Sequence, residues 1–149
     1  MNKEMIYLGA DHAGFFLKEK IKAYLESKKI PYDDLSPVKI PEDDYPLIAY
    51  KLADSVAHIQ AKGILVCGTG VGMSIVANKV QGIRAAALSD IKTAKLSRKH
   101  NDANVLCLGA RILSPQKAIA ITKAWLAAKE PNEPRHQRRI KQIESLEWH

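Results

Sequence analysis

Short apolar runs alternate with longer amphipathic stretches along most of this chain, and the alternation changes period each time. Residues 5–10 form the first apolar run, and residues 15–28 carry Phe16, Leu17, Ile21, Tyr24 and Leu25 at helical spacing. The weaker run 30–35 predicts a second strand, the Pro- and Asp-containing segment 36–46 a loop, and 47–59 a helix. Residues 64–67 predict a third strand, 72–80 a helix and 83–88 a fourth strand. Residues 91–99 read as a helix and 104–108 as a fifth strand. Residues 115–128 read as a helix capped by Ser114 and opened by Pro115. Five strand–helix repeats predict an α/β fold: a five-stranded parallel sheet in a single Rossmann-like three-layer αβα domain over residues 1–149, with right-handed crossovers and helices on both faces. Beyond the Pro-rich stretch 130–134, residues 135–146 predict an extra C-terminal helix whose only apolar stripe is Ile140, Ile143 and Leu146. Such a helix needs a surface to lie on, and a partner subunit is a candidate.

Composition narrows the classes. A chain of 149 residues that is 46% hydrophobic fits one domain with a sizeable core. The two cysteines, Cys67 and Cys107, stand far apart without CxxC or CxxH patterns, so neither a disulfide framework nor a metal site is expected. That usage points to the cytoplasm. The N-terminus does not read as a signal peptide, and no apolar stretch approaches the roughly 20 residues that span a bilayer. A net charge of +7 raises the question of nucleic acid, but the basic residues are dispersed and no aromatic-basic motif accompanies them, so a small anionic substrate suffices.

The chemistry concentrates in a few segments. After the third strand come Cys67, Gly68, Thr69, Gly70, Val71, Gly72, Met73 and Ser74. Alternating glycines let successive backbone N–H groups face an anion or a developing oxyanion, with Cys67 at the lip. The spacing is neither the dinucleotide fingerprint nor a Walker loop. Cys67 is open to two readings, reactive thiol or small buried hydrophobe. Asp11 and His12 follow the first strand at the same sheet edge. Asp11 is either a helix cap or a ligand, and His12 either packs locally or binds. His100 and Asn101 close a helix before the fifth strand, where His100 is a helix-end histidine or a general acid. Arg135 and Arg139, four apart, form a solvated basic face or a phosphate clamp. Arg111 has the same ambiguity.

Taken in order, Asp11-His12-Ala13-Gly14, Asp44-Tyr45-Pro46, Cys67 to Ser74, Asn78-Lys79, Gly82-Ile83-Arg84-Ala85, Ser97-Arg98, His100 to Leu106 and Arg135 to Arg139 resemble the B-type ribose-5-phosphate isomerases. That family also contains the galactose-6-phosphate isomerase subunits. The resemblance implies an aldose–ketose isomerisation of a phosphorylated sugar through an enediolate, with no cofactor and no metal. It assigns Cys67 as the base between C1 and C2, His100 as the acid that opens the furanose ring, and Thr69 as a helper in moving protons between the substrate oxygens. Backbone N–H groups from Gly68 through Gly70, Val71 and Gly72, with Ser74 behind them, would hold the enediolate. Asp11 would bind sugar hydroxyls, His12, Arg135 and Arg139 the phosphate, and Asn101 and Arg111 add polar contacts while Tyr45 walls the site. The resemblance further implies a homodimer, or a tetramer, in which the His100 region and Cys67 of one site come from different subunits.

Two segments depart from the family pattern. Relatives carry Asp-x-Gly-Thr where this chain has Asp34-Leu35-Ser36-Pro37, and Gly-Gly where it has Glu133-Pro134. Both lie where substrate contacts or specificity are set, so a six-carbon sugar phosphate (allose 6-phosphate or galactose 6-phosphate) stands as the alternative to ribose 5-phosphate. A non-catalytic sugar-phosphate-binding subunit is the alternative outside enzymology.

Overall fold

The computed structural model describes residues 4–147; residues 1–3, part of the N-terminal run considered above, and residues 148–149 lie outside it. Five strands, β1 (Ile6–Ala10), β2 (Tyr32–Asp34), β3 (Lys62–Cys67), β4 (Ala85–Ala87) and β5 (Val105–Gly109), form one sheet in the order β2-β1-β3-β5-β4. Every pairing is parallel. The helices are α1 (Phe15–Ser27), α2 (Tyr45–Ile59), α3 (Val71–Ala77), α4 (Ile91–Asn101), α5 (Pro115–Ala127) and α6 (Pro134–Ser145).

The period-two alternation of the central strands sorts the core into two layers. Ile64 and Val66 of β3, with Leu106 and Leu108 of β5, meet Leu17, Ile21 and Leu25 of α1 and Ile121 and Trp125 of α5. Leu65, Cys67, Val105 and Cys107 point the other way, onto Leu52 and Val56 of α2 and Met73 and Ala77 of α3. This is the three-layer arrangement expected from the pattern. The sixth helix packs on α4, outside the layer, burying His136 and Ile140.

Several boundaries differ from expectation, each for a local reason. The edge strands β2 and β4 shrink to three residues because each has a ladder partner on one side only. The helix predicted over 72–80 ends at Ala77, since the next residue, Asn78, exchanges two hydrogen bonds with the backbone of Ala85 instead. The α2 helix starts two residues early, at Tyr45, with Pro46 in its first turn. Ser114 does cap α5, accepting the Lys117 N–H at 3.2 Å. Among the described residues no helix is long and apolar enough to cross a membrane.

Candidate active site

The strand order reverses direction between β1 and β3, and loops leaving their carboxyl ends open a crevice there. Asp11, His12, Tyr45, Cys67, Gly68, Thr69, Val71, Gly72 and Arg111 line a cavity of about 390 Å³ at this point, together with Ala13 and Ile75. Nine of the residues singled out in the sequence are therefore brought together by the ends of β1, β3 and β5 and the start of α2.

Cys67 is 5% exposed, and its Sγ accepts the Gly70 N–H at 3.1 Å. Gly70 adopts φ +82°, a left-handed turn that lets the chain swing from strand into α3 and aim that N–H back at the sulfur. Thr69 Oγ1 accepts the Val71 N–H at 3.3 Å. Two of the N–H groups expected to face an enediolate are thus engaged within the loop. Gly72 lies beneath the Tyr45 ring: a Cβ there would sit 2.5 Å from Tyr45 Cζ, so the ring closes over the loop only because residue 72 has no side chain. Arg111 reaches back over Gly68, and its backbone N–H donates to the Gly68 carbonyl at 2.9 Å.

Asp11 does not cap α1, whose N-cap is Gly14 without a side-chain bond. It lines the cavity, and its Oδ1 accepts the Gly14 N–H at 3.0 Å, which stabilises the turn before α1 rather than the helix end itself. His12 is held by Asp43, a residue sequence reasoning missed: Asp43 Oδ1 accepts the His12 backbone N–H at 2.7 Å and lies 3.1 Å from Nδ1. No periodicity marks a loop residue whose partner is 31 positions away.

The divergent Asp34–Pro37 segment is tied down from behind. Ser36 Oγ accepts the N–H of Ala10, the last residue of β1, at 2.8 Å. The fully buried Lys18 ammonium binds both Asp34 oxygens, at 3.0 and 2.8 Å, and the Ser36 carbonyl at 2.6 Å. Burial works to raise the Asp34 pKa, but the Lys18 and Ser36 hydrogen bonds and the lysine charges outweigh it and hold the carboxyl below its usual range.

The remaining expected site residues are elsewhere. Ser74 does not line the cavity; its hydroxyl donates to the Val71 carbonyl within α3. His100 and Asn101 end α4, which runs antiparallel to the strands and delivers them to the amino edge of the sheet. The five residues of β5 alone separate the two edges by about 13 Å, at about 3.3 Å per residue. There His100 stacks face to face on His136 of α6, with ring centroids 4.1 Å apart. Arg135 and Arg139 lie on the exposed side of that helix, Arg135 Nε donating to Glu133 at 2.8 Å. Pro134 occupies the first turn of α6, so the Glu133-Pro134 departure starts the helix that carries both arginines. His136 is 6% exposed; burial, then the neighbouring His100 and Arg135, lower its pKa, with Glu133 opposing.

A second cavity, about 350 Å³, also lies at the amino edge, lined among others by Lys62, Arg84 and Arg98. Its cations already have carboxylate partners: Glu4 for Lys62, Asp102 for Arg84 and Arg98. Among the described residues no group of three or more His, Cys, Asp or Glu side chains is placed to hold a metal ion.

The Ribose/Galactose Isomerase family profile matches residues 6–143. A probable ribose-5-phosphate isomerase B of Mycoplasma pneumoniae is 44% identical over 144 residues, covering 95% of this chain and 94% of the relative. The ribose-5-phosphate isomerase B of Escherichia coli is 43% identical over 143 residues, 95% of each chain. The crystal structure of ribose-5-phosphate isomerase B from Mycoplasma genitalium with bound ribulose-5-phosphate superposes with a TM-score of 0.90 at 42% identity, covering 95% of this chain and 94% of that one. On sequence, fold and coverage alike, the chain belongs to the ribose/galactose isomerase family and is, with it, an aldose–ketose isomerase.

Proposed function

We propose that this protein interconverts ribose 5-phosphate and ribulose 5-phosphate, with Cys67 as the proton-transferring base and a site completed by a second copy of the chain. The observation that carries the reading is the cavity at the β1/β3 switch point, where the Cys67 sulfur lies among Asp11, His12, Thr69, Tyr45 and Arg111. Relatives named for this reaction support the choice of substrate.

In the proposed sequence, His100 protonates the ring oxygen of the furanose as the anomeric hydroxyl loses its proton, giving the open aldehyde. Cys67, as thiolate, then removes the C2 proton, and the carbonyl electrons move onto O1 to form an enediolate. Backbone N–H groups between Gly68 and Gly72 other than those of Gly70 and Val71 stabilise that charge, which appears only as the reaction proceeds. Thr69 passes a proton between O2 and O1, and Cys67 returns its proton to C1, leaving the C2 ketone. Atoms balance, since the product is an isomer of the substrate. Asp11 binds sugar hydroxyls; His12, Arg135 and Arg139 hold the phosphate; Asn101 adds a polar contact.

The opposite placement of Cys67 and His100 within one chain supports a shared site. A second support is apolar surface at the cavity: Val71 at 52% exposure and Ile75 at 56% line it one turn apart on α3, and Leu47 and Ile112 are exposed on the segments that carry Tyr45 and Arg111. A partner subunit laid on that surface would bring its own His100, Asn101, Arg135 and Arg139 to the cavity.

The test is turnover of ribose 5-phosphate by purified protein without added metal, beside Cys67→Ala. Turnover that falls about a thousandfold or more in the variant supports both substrate and base. An inactive wild-type protein that turns over allose 6-phosphate or galactose 6-phosphate would reassign the substrate to a six-carbon sugar, within the range the family's name covers. Inactivity on all three sugars, with binding retained, would favour the non-catalytic subunit.

A further inference from the structure

The segment between β2 and α2 has no regular structure, yet it places one carboxylate with some care. Ile40 to Asp43 form a turn in which the Asp43 N–H donates to the Ile40 carbonyl at 3.4 Å and Glu42 sits at φ +55°. Pro41 fits the first central position of such a turn, and the left-handed second position is what turns the chain back toward β1. The Asp43 side chain, 14% exposed, then faces His12. Its Oδ1 lies 2.7 Å from the His12 backbone nitrogen and 3.1 Å from Nδ1.

A carboxylate only accepts hydrogen bonds, so the short Nδ1 contact requires the proton on Nδ1. Nε2 is then the ring's remaining nitrogen, and it has no protein partner among the described residues. His12 itself lines the cavity with 37% of its side chain exposed. We propose that Asp43 is a positioning residue for His12: it fixes the ring by the backbone N–H and Nδ1–H together and so presents Nε2 to the substrate. This rests on the reading of His12 as a phosphate ligand. A phosphate oxygen accepts, so Nε2 donates when phosphate is bound, while the Asp43 carboxylate keeps its hold on Nδ1–H. Arg111, the cation that also lines the cavity, shares the attraction for the anion, and Asp11 opposes it.

Asp43 sits two residues before Tyr45, whose ring covers Gly72. One turn therefore sets both the orientation of His12 and the wall opposite it. A purely structural pin on the loop would be indifferent to which ring nitrogen holds the proton, and this separates the two roles.

The experiment combines nitrogen-15 spectra of the histidine rings with steady-state kinetics on wild type, Asp43→Ala and Asp43→Asn. At a pH where the His12 ring is neutral, wild type is expected to hold the proton on Nδ1, and Asp43→Ala to lose that preference. With ribose 5-phosphate, Asp43→Ala should raise KM about tenfold with kcat within about threefold, and Asp43→Asn, which keeps an acceptor but not the charge, should fall between. In a His12→Ala background the Asp43→Ala effect should vanish, as expected for a residue acting through its neighbour. A wild-type ring protonated on Nε2 alone, or unchanged KM in Asp43→Ala, overturns the proposal. If the wild-type protein does not act on ribose 5-phosphate, the functional reading fails rather than this one. Inorganic phosphate then replaces the sugar: weaker phosphate binding by Asp43→Ala supports the positioning role, and equal binding refutes it.

Discussion

The two edges of the sheet are built from the same chain by opposite means. At the carboxyl edge, loops after β1, β3 and β5 leave a cavity beside exposed apolar side chains, and polar side chains such as His12 and Asp11 line it. At the amino edge charged and amide side chains pair with one another, while Arg98 Nε and His136 Nε2 are buried without a hydrogen-bond partner among the described residues. Asp102 binds Arg98 at 2.7 Å and Arg84 at 3.4 Å, while the Asn104 amide accepts the Arg84 N–H at 2.7 Å and donates to the Gly82 carbonyl at 2.9 Å. This network holds the turn from α4 into β5, just after His100 and Asn101. One edge leaves a cavity open, and the other holds the turn that carries His100 and Asn101.

The strongest perturbations of this contrast come from the apolar surface at the carboxyl edge. Leu47→Asp combined with Ile75→Asp should dissociate the proposed assembly and lower activity about tenfold to a hundredfold while leaving the fold intact, read by sedimentation and circular dichroism. A stable assembly with full activity would remove that surface from the account. Next is Arg135→Ala with Arg139→Ala, for which KM should rise about tenfold or more with little change in kcat; an unchanged KM would take α6 out of the phosphate site. Gly72→Ala is smaller: the new methyl displaces Tyr45, and catalytic efficiency should fall about threefold to tenfold.

Acid should loosen the two edges by different groups. Histidine titrates near 6.5 in an unfolded chain, whereas buried His136 titrates lower, so below about pH 6.5 the unfolded state binds more protons and the docking of α6 weakens. Hydrogen exchange of α6 amides should quicken as pH falls below about 6.5 and lose that dependence in His136→Leu. Asp34 acts lower. Its folded pKa is depressed below the ordinary value near 3.9, so the stability it provides is present above that value and lost as pH falls through the folded one. Asp34→Asn should flatten the acid limb of thermal stability without changing exchange in α6.

The fold was largely legible because it rests on periodicity: alternating apolar residues in the central strands, helical stripes between them, Ser114 and Pro115 at a helix start. What periodicity could not show was where short elements stop, since Asn78 ends α3 by bonding to a strand rather than by any local signal. The carboxyl-edge residues were legible because they directly follow strands. The HNDAN run at 100–104 divides in a way its letters do not announce, with Asp102 and Asn104 holding the turn while His100 is half-buried against His136 and Asn101 is exposed. Asp43 and His136 were not legible as site neighbours, because each depends on a contact across the fold, to His12 and to His100, that no spacing encodes.

The central claim is that a working site draws Cys67 and His100 from different copies of the chain, and mixing two dead variants tests it directly. Cys67→Ala and His100→Asn, each inactive alone, are unfolded together and refolded as a mixture. In a heterodimer one composite site then has both residues intact, so activity should return to about a quarter of wild type for random pairing of equal amounts. If each site were built within one chain, no combination would hold both residues, and a mixture as inactive as its components would contradict the account.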